Sequence, residues 1–364
     1  MTTKPQSVPT GGRDAWVDYA KAIGIVLVVY GHVARGVFNA GIPMDLPLYE
    51  RVDSIIYSFH MPLFFFLSGI FFFHSLHRRG PAALAANKMD TILYPYILWS
   101  LIQGLTEVWL SRYTTGQVTL TEVLSLWDPR AQFWFLYALF LVILTAILVY
   151  RRDTRALILG VLALAGLAYV FQASIPSALH SDYVVKNFVF FALGVWFFTV
   201  KDHLTRHPGL WALAGVIAFV AIQYGLHGWL GITFEAKDAG QGLRFADKGL
   251  ASLLVAVVSI LAVASLSIWL ARSPAPWVLA LGGASMGIYV MHILTGSGAR
   301  ILLGRFLGVR EAWVHLLVGC LVGILLPMLV IWLLRRLGIG GLFEAPARLS
   351  AEAWYRRRFR QGAA

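Results

Sequence analysis

The sequence predicts an all-helical (all-α), polytopic integral membrane protein, and three observations carry that prediction. Apolar residues make up 59% of the 364-residue chain, well above the roughly 45–50% usual for soluble domains, and mean hydropathy is +0.71. Charged residues, 13% of the total, cluster between long apolar runs and do not form the polar faces that soluble helices need. Lys and Arg are also unequally shared between alternate connecting segments, as in chains threaded back and forth through a bilayer. No polar stretch is long enough to enclose a core of its own, so no separate soluble domain is expected.

A helical span needs ~20 mainly apolar residues. Applied along the chain, that rule gives about ten transmembrane helices, at 15–38, 54–74, 89–110, 131–150, 155–173, 184–200, 208–230, 248–271, 276–300 and 312–336. The first begins near Ala15 and runs past the length of a signal-peptide core without a small-residue cleavage site, so it reads as a retained helix. The fourth and fifth are joined by the tight hairpin "RRDTR". Between the seventh and eighth lies the longest polar stretch, "GITFEAKDAGQGLRFADK", which suits a short surface helix. A single transmembrane domain over 15–336 is therefore expected between an N-terminal tail, 1–14, and a basic C-terminal tail, 337–364. The tail's "AWYRRRFRQ" is basic and aromatic, as suits a segment lying on anionic headgroups.

Placing the N-terminus in the cytoplasm puts 18 Lys and Arg on inner segments and 10 on outer ones, with Lys21 and Arg35 inside the first helix. Most outer segments also carry acids, among them Asp45, Glu50 and Asp53. Both termini are thus expected on the cytoplasmic side. The net charge of +12 is a topology signal and gives no ground for nucleic-acid binding. The single cysteine, Cys320, excludes an internal disulfide framework and a zinc pattern and reads as a packing residue.

Ionisable residues inside spans are costly and usually face a cavity or pathway. The run "DYAKAIGIVLVVYGH" holds three of them: Asp18, Lys21 and His32. Lys21 and His32 share a helix face about three turns, roughly 16 Å, apart, and Asp18 lies one turn below Lys21. With the orientation above, His32 falls in the outer half of the first helix. His60 of the second helix and His292 of the ninth fall at comparable depth. Gln103 and Glu107 end the third helix on that side, Gln132 and Trp134 begin the fourth, and Lys186 and Asn187 begin the sixth. One polar layer points to a shared, water-accessible chamber below the outer surface. On the inner side, Lys21, Lys88, Arg78, Arg79, Arg152 and Arg155 suit a cationic mouth for a phosphate-bearing donor, although each residue alone also reads as a positive-inside anchor.

At these residues the chain resembles the acyltransferase family three, integral membrane proteins that O-acylate sugars and other cell-surface molecules. It is most similar to the fucose 4-O-acetylase-like, exopolysaccharide-modifying branch. The family's basic-residue–X10–His pattern falls on Lys21 and His32, with its aspartate at Asp18. Further matching blocks are "FHMPLFFFLSG", "KMDTILYPYILWS", "FWFLYALF" and "LGGASMGIYVMH". The family's paired arginines fall on Lys88 and Thr91 here, so one cation is lost, and no esterase-like domain follows the membrane part.

The resemblance implies acetyl-CoA, or another short acyl-CoA, as donor at the cytoplasmic mouth, with no metal. It implies a sugar hydroxyl of a polysaccharide or lipid-linked oligosaccharide as acceptor. His32 would be the general base or a transient acyl acceptor, assisted by Lys21 and Asp18. Lys88, Arg78, Arg79, Arg152 and Arg155 would hold the donor. His60, Glu107, Trp134, Asn187 and His292 would hold the acceptor, although His292 equally suits a packed helix end and Trp134 an interfacial belt. The expected location is a bacterial inner membrane, with polysaccharide synthesis or export machinery as a candidate partner. A transporter or flippase using His and Lys as a proton relay is the alternative, and a scaffold subunit is a third reading. No inverted repeat supports the transporter.

Overall fold

The computed structural model describes residues 14–111, 118–175, 180–225 and 249–359. The first helix, α1 (Ala15–Asn39), runs as one unbroken rod. The second expected span is a bent assembly of α2 (Leu46–Tyr57), α3 (His60–Ile70) and α4 (Phe72–Arg79). Next come α5 (Pro81–Lys88), a π-helical turn at Met89–Leu93, α6 (Tyr94–Trp109) and the short α7 (Leu120–Leu124). The hairpin "RRDTR" joins α8 (Trp134–Val149) to α9 (Arg155–Val170), as expected. After α10 (Ser181–Arg206), α11 (Pro208–Tyr224) and α12 (Leu250–Leu270), the ninth expected span breaks at Ala284 into α13 (Pro276–Gly283) and α14 (Ser285–Ile301). Last are α15 (Ala312–Arg336) and α16 (Ala351–Phe359).

Seven helical stretches among the described residues are long and apolar enough to cross a bilayer: 15–39, 46–79, 131–149, 181–206, 250–270, 285–306 and 312–336. The protein is a multi-pass membrane protein. Helices α9 and α11 are apolar but shorter, and α6, at the third expected position, has 16 residues. The surface helix expected within 231–248 lies outside the described residues.

Helix α1 is the hub, packed against α3 and α12 to α15. In a bilayer, lipid tails are as apolar as leucine, so helices associate where small residues let backbones approach. Two glycines do this at the α3–α10 crossing: a Cβ on Gly69 would lie 2.1 Å from the Phe191 carbonyl oxygen, and one on Gly194 would lie 2.0 Å from that of Phe66. Gly282 at the end of α13 abuts the Asp18 carbonyl of α1 just as closely, at 2.0 Å. On α15, Gly319 and Gly323 receive Val33 and Val29 of α1. Outward faces are apolar in turn, as with Leu210, Leu213, Ile217 and Val220 of α11, all exposed to the lipid position.

The C-terminal segment is held by protein contacts, a feature its basic, aromatic composition did not indicate. Asp90 caps the start of α16, accepting hydrogen bonds from the Ser350 hydroxyl (2.6 Å) and the Ala351 (2.7 Å) and Glu352 (3.1 Å) amides. Upstream, Trp99 Nε1 donates to the Leu342 carbonyl (2.7 Å), the Tyr94 hydroxyl to that of Gly341 (2.9 Å), and Phe343 stacks on Trp99.

Candidate functional site

The break between α2 and α3 builds the centre of the site. At Ser58–Phe59 the helix turns, and the rings of Tyr57 and His60 meet edge-on with centroids 4.5 Å apart. The break is pinned from the side: Gln223 Nε2 donates to the Ser58 (3.0 Å) and Ser259 (3.2 Å) hydroxyls, tying α11 and α12 to it. On α1, Gly31 leaves the space that the Tyr57 ring occupies, since a Cβ there would lie 2.9 Å from it. Tyr57 thereby reaches the edge of His32, centroid to centroid 6.3 Å.

His32 and His292 come from α1 and α14 with ring centroids 5.1 Å apart. The structure thus links three histidines from separate helices, His60 to His32 through Tyr57 and His32 directly to His292, but their environments differ. His60 and His292 are 1% exposed. The Nδ1 of His60 meets the Ile56 carbonyl at 2.7 Å, and that of His292 meets the Tyr289 carbonyl at 2.7 Å. A carbonyl only accepts, so each Nδ1 carries the proton and each Nε2 is the acceptor tautomer. The Nε2 of His292 is buried without a hydrogen-bond partner. His32 is half-buried, and its ring makes no hydrogen bond among the described residues. It lines a cavity of about 50 Å³ together with Val33, Gly36, His292, Gly296, Ser297 and Arg300.

The charged support of this centre was not anticipated. Arg35, one turn beyond His32, grips Asp53 through two parallel hydrogen bonds of 2.8 Å, and its guanidinium lies 3.2 Å from the Tyr57 ring centroid. Asp53, read from sequence as an outer-loop acid, is buried at 5% exposure, because α2 begins at Leu46, eight residues earlier than the expected span. Arg300, the last residue of the ninth expected span and not among the residues singled out from sequence, lines the cavity. The available signal was spacing: Arg35 and Arg300 each fall within a turn of an apolar run.

The remaining candidates lie elsewhere. Glu107 takes Arg130 at 2.7 Å and Gln103 at 2.9 Å, and Gln103 pairs with Gln132 across α6 and the start of α8 (2.6 Å). This network reaches the histidines through Tyr289, whose hydroxyl donates to the Gln132 carbonyl. Trp134 stacks on Tyr183 with ring centroids 6.0 Å apart, and Asn187 donates to the Tyr183 carbonyl of its own helix (2.8 Å). None of Glu107, Trp134 and Asn187 lines the His32 cavity.

At the opposite end of α1, Lys21 and Asp18 sit 4.0 Å apart, with Lys21 part-exposed and Asp18 buried. His77 lies 3.8 Å from Asp153, so the end of α4 and the "RRDTR" hairpin are neighbours and Arg78, Arg79, Arg152 and Arg155 share one side of the molecule. Arg78, Arg152 and Arg155 are exposed, and Arg79 pairs with Glu352 at 3.5 Å. Lys88 is held below the usual lysine range by burial, reinforced by the Arg79 charge and opposed by Glu352. Thr91, where the family's second paired arginine would fall, donates back to the Asn87 carbonyl (2.8 Å). Among the described residues, no group of three or more His, Cys, Asp or Glu is placed to hold a metal ion.

A family model described as an acyltransferase domain matches residues 14–332. Among curated proteins, the chain is 25% identical over 230 residues to the nodulation protein NolL of Sinorhizobium fredii, covering 57% of each chain. It is 28% identical over 133 residues to the nodulation protein NolL of Mesorhizobium japonicum, covering 36% of this chain and 35% of the relative. The chain therefore aligns with less than two thirds of the length of these relatives. No solved structure matches it.

Proposed function

The chain belongs to this acyltransferase family, and from that membership we propose that it is a membrane O-acyltransferase of the bacterial inner membrane. It moves an acetyl group from acetyl-CoA, bound at the cytoplasmic side, to a sugar hydroxyl of a cell-surface or lipid-linked glycan. The observation that carries this reading is His32: half-buried, its ring without a hydrogen bond among the described residues, and lining a cavity beside His292.

A neutral imidazole offers one basic nitrogen, so it can take a proton and return it within one turnover. His32 removes the acceptor hydroxyl proton as that oxygen bonds to the thioester carbonyl carbon. The C–S bond then breaks, and the departing thiolate recovers the proton from the imidazolium. His292, with its protonated Nδ1 committed to a backbone carbonyl, keeps its ring fixed against His32. Arg35, neutralised by Asp53, holds Tyr57 as the wall on the other side.

Lys21 lies about three turns toward the cytoplasm on the same helix face, roughly 16 Å away. That separation suits a donor whose phosphates stay outside while a flexible arm carries the thioester inward. Arg78, Arg79, Lys88, Arg152 and Arg155 supply further cations at that mouth.

The test supplies acetyl-labelled acetyl-CoA to membrane vesicles containing the protein, together with candidate glycans. Base-labile, ester-linked label on a glycan supports the reading. Label carried across the membrane without ester formation would instead favour a transporter.

A further inference from the structure

Two arginines flank the histidine centre, and their charges are treated differently. Arg35 is fully engaged by the Asp53 carboxylate, with both hydrogen bonds at 2.8 Å. Arg300 is half-buried in the cavity wall, and among the described residues it forms no ion pair. Its Nε lies across α1 at Gly36, 3.5 Å from where a Cβ on that glycine would sit. Among the described residues, the cavity lining holds no carboxylate: its polar groups are His32, His292, Ser297 and Arg300. A second polar group in the same wall is also unmatched, the buried Nε2 of His292.

A guanidinium withdrawn from bulk water is stabilised by an anion with two oxygens, which its fork of donors engages side by side. Arg300 lies two helical turns beyond His292 on α14, about 12 Å along the axis. It therefore stands at the end of the cavity remote from Lys21. On the proposed topology that is the side from which the acceptor enters.

We propose that Arg300 is the acceptor-recognition residue of this site, binding an anionic group, a sugar carboxylate or a lipid-linked phosphate, on the glycan whose hydroxyl reaches His32. This rests on the acyltransferase reading for its role, but anion binding is measurable without turnover.

The experiment measures equilibrium binding to purified full-length protein in nanodiscs. Three probes are used: a galacturonate oligosaccharide, its carboxyl-reduced neutral counterpart, and a polyprenyl-diphosphate-linked neutral disaccharide. At least one anionic probe binds the wild type, at least tenfold more weakly to Arg300→Gln, and Arg300→Lys recovers part of the loss. The neutral oligosaccharide binds both proteins equally. Selective binding of the uronate identifies a carboxylate, and selective binding of the lipid-linked sugar identifies a phosphate. The proposal is overturned if neither anionic probe binds the wild type, or if Arg300→Gln binds as tightly while Arg300→Lys confirms a folded protein. Arg300-dependent binding without any acetyl transfer by the wild type would remove the enzymatic reading and leave the anion site standing.

Discussion

Arg35 of α1 and Asp53 of α2 form a two-bonded ion pair, 2.8 Å at each contact, beside the ring stack that places Tyr57 against His32. Asp53 is 5% exposed on its side chain and Arg35 is 21% exposed, so neither charge is well screened by water. Removing one partner of such a pair leaves the other buried and uncompensated, at a cost of about 3–5 kcal/mol. Asp53→Leu is expected to lower the thermal unfolding midpoint in detergent sharply. The double change Arg35→Met with Asp53→Leu recovers most of that loss, because no lone charge remains. A double variant no more stable than Asp53→Leu would show that the pair acts through something other than charge compensation.

Close packing at α3–α10 makes a second, opposite pair of expectations. Gly69→Ala drives a methyl into the Phe191 carbonyl at 2.1 Å, which demands backbone movement and an overpacking cost of about 1–3 kcal/mol. Gly160→Ala on α9 meets nothing within 4 Å and is expected to be neutral or mildly stabilising. Unfolding of both variants in the same detergent checks this. Equal behaviour of the two would contradict the crossing geometry.

Docking of the C-terminal segment depends on pH through Glu352. Burial acts to raise its carboxyl, but hydrogen bonds from Arg356 and Asn87, with the Arg356 and Arg79 charges, outweigh that and hold it below its ordinary 4.5. A depressed carboxyl contributes stability that is complete above the unfolded value and is lost as pH falls through the folded one. The Glu352→Gln variant should therefore expose the amides at positions 351 and 352 to faster hydrogen exchange at pH 7. Its difference from wild type should shrink as pH falls below 4.5. A difference that persists unchanged in acid would rule out the carboxylate as the clasp.

Much of this arrangement was legible in the sequence. Seven of the ten expected apolar runs coincide with membrane-length helical stretches among the described residues. Lys21 and His32 stood out as ionisable residues inside the first of them, where the family's basic-residue–X10–His pattern also falls. His32, His60 and His292, expected at one depth, are linked in the fold, His60 to His32 through Tyr57 and His32 to His292. Arg35–Asp53 and Arg300 were not legible, because hydropathy places a residue along one helix and says nothing of which neighbour it faces. Asp53 sits among Glu50 and Asp45, and so reads as loop until α2 is seen to start at Leu46. The breaks at Ser58–Phe59 and Ala284 were hidden for a related reason: both lie inside stretches that hydropathy reads as one continuous span. Docking of the C-terminal segment is a contact between residues about 260 positions apart, with Asp90 as cap, which no local pattern encodes.

At the Lys21 end of α1, Lys21→Gln is expected, on the proposed donor role, to raise the KM for acetyl-CoA about tenfold or more, as for loss of a charge-assisted contact worth ~1.5–3 kcal/mol. The kcat should change little, since Lys21 is remote from His32. Initial rates across a range of acetyl-CoA concentrations separate the two constants. An unaltered KM with a lowered kcat would place Lys21 in the chemistry and not in donor binding.

The most direct measurement compares His32→Ala with wild type for ester-linked acetyl label on glycan, normalised to the amount of protein in the membrane. General base catalysis contributes about 10²–10⁴-fold, so the expected result is at least a hundredfold loss of transfer at undiminished abundance. Transfer at the wild-type rate in vesicles lacking that imidazole would contradict the account.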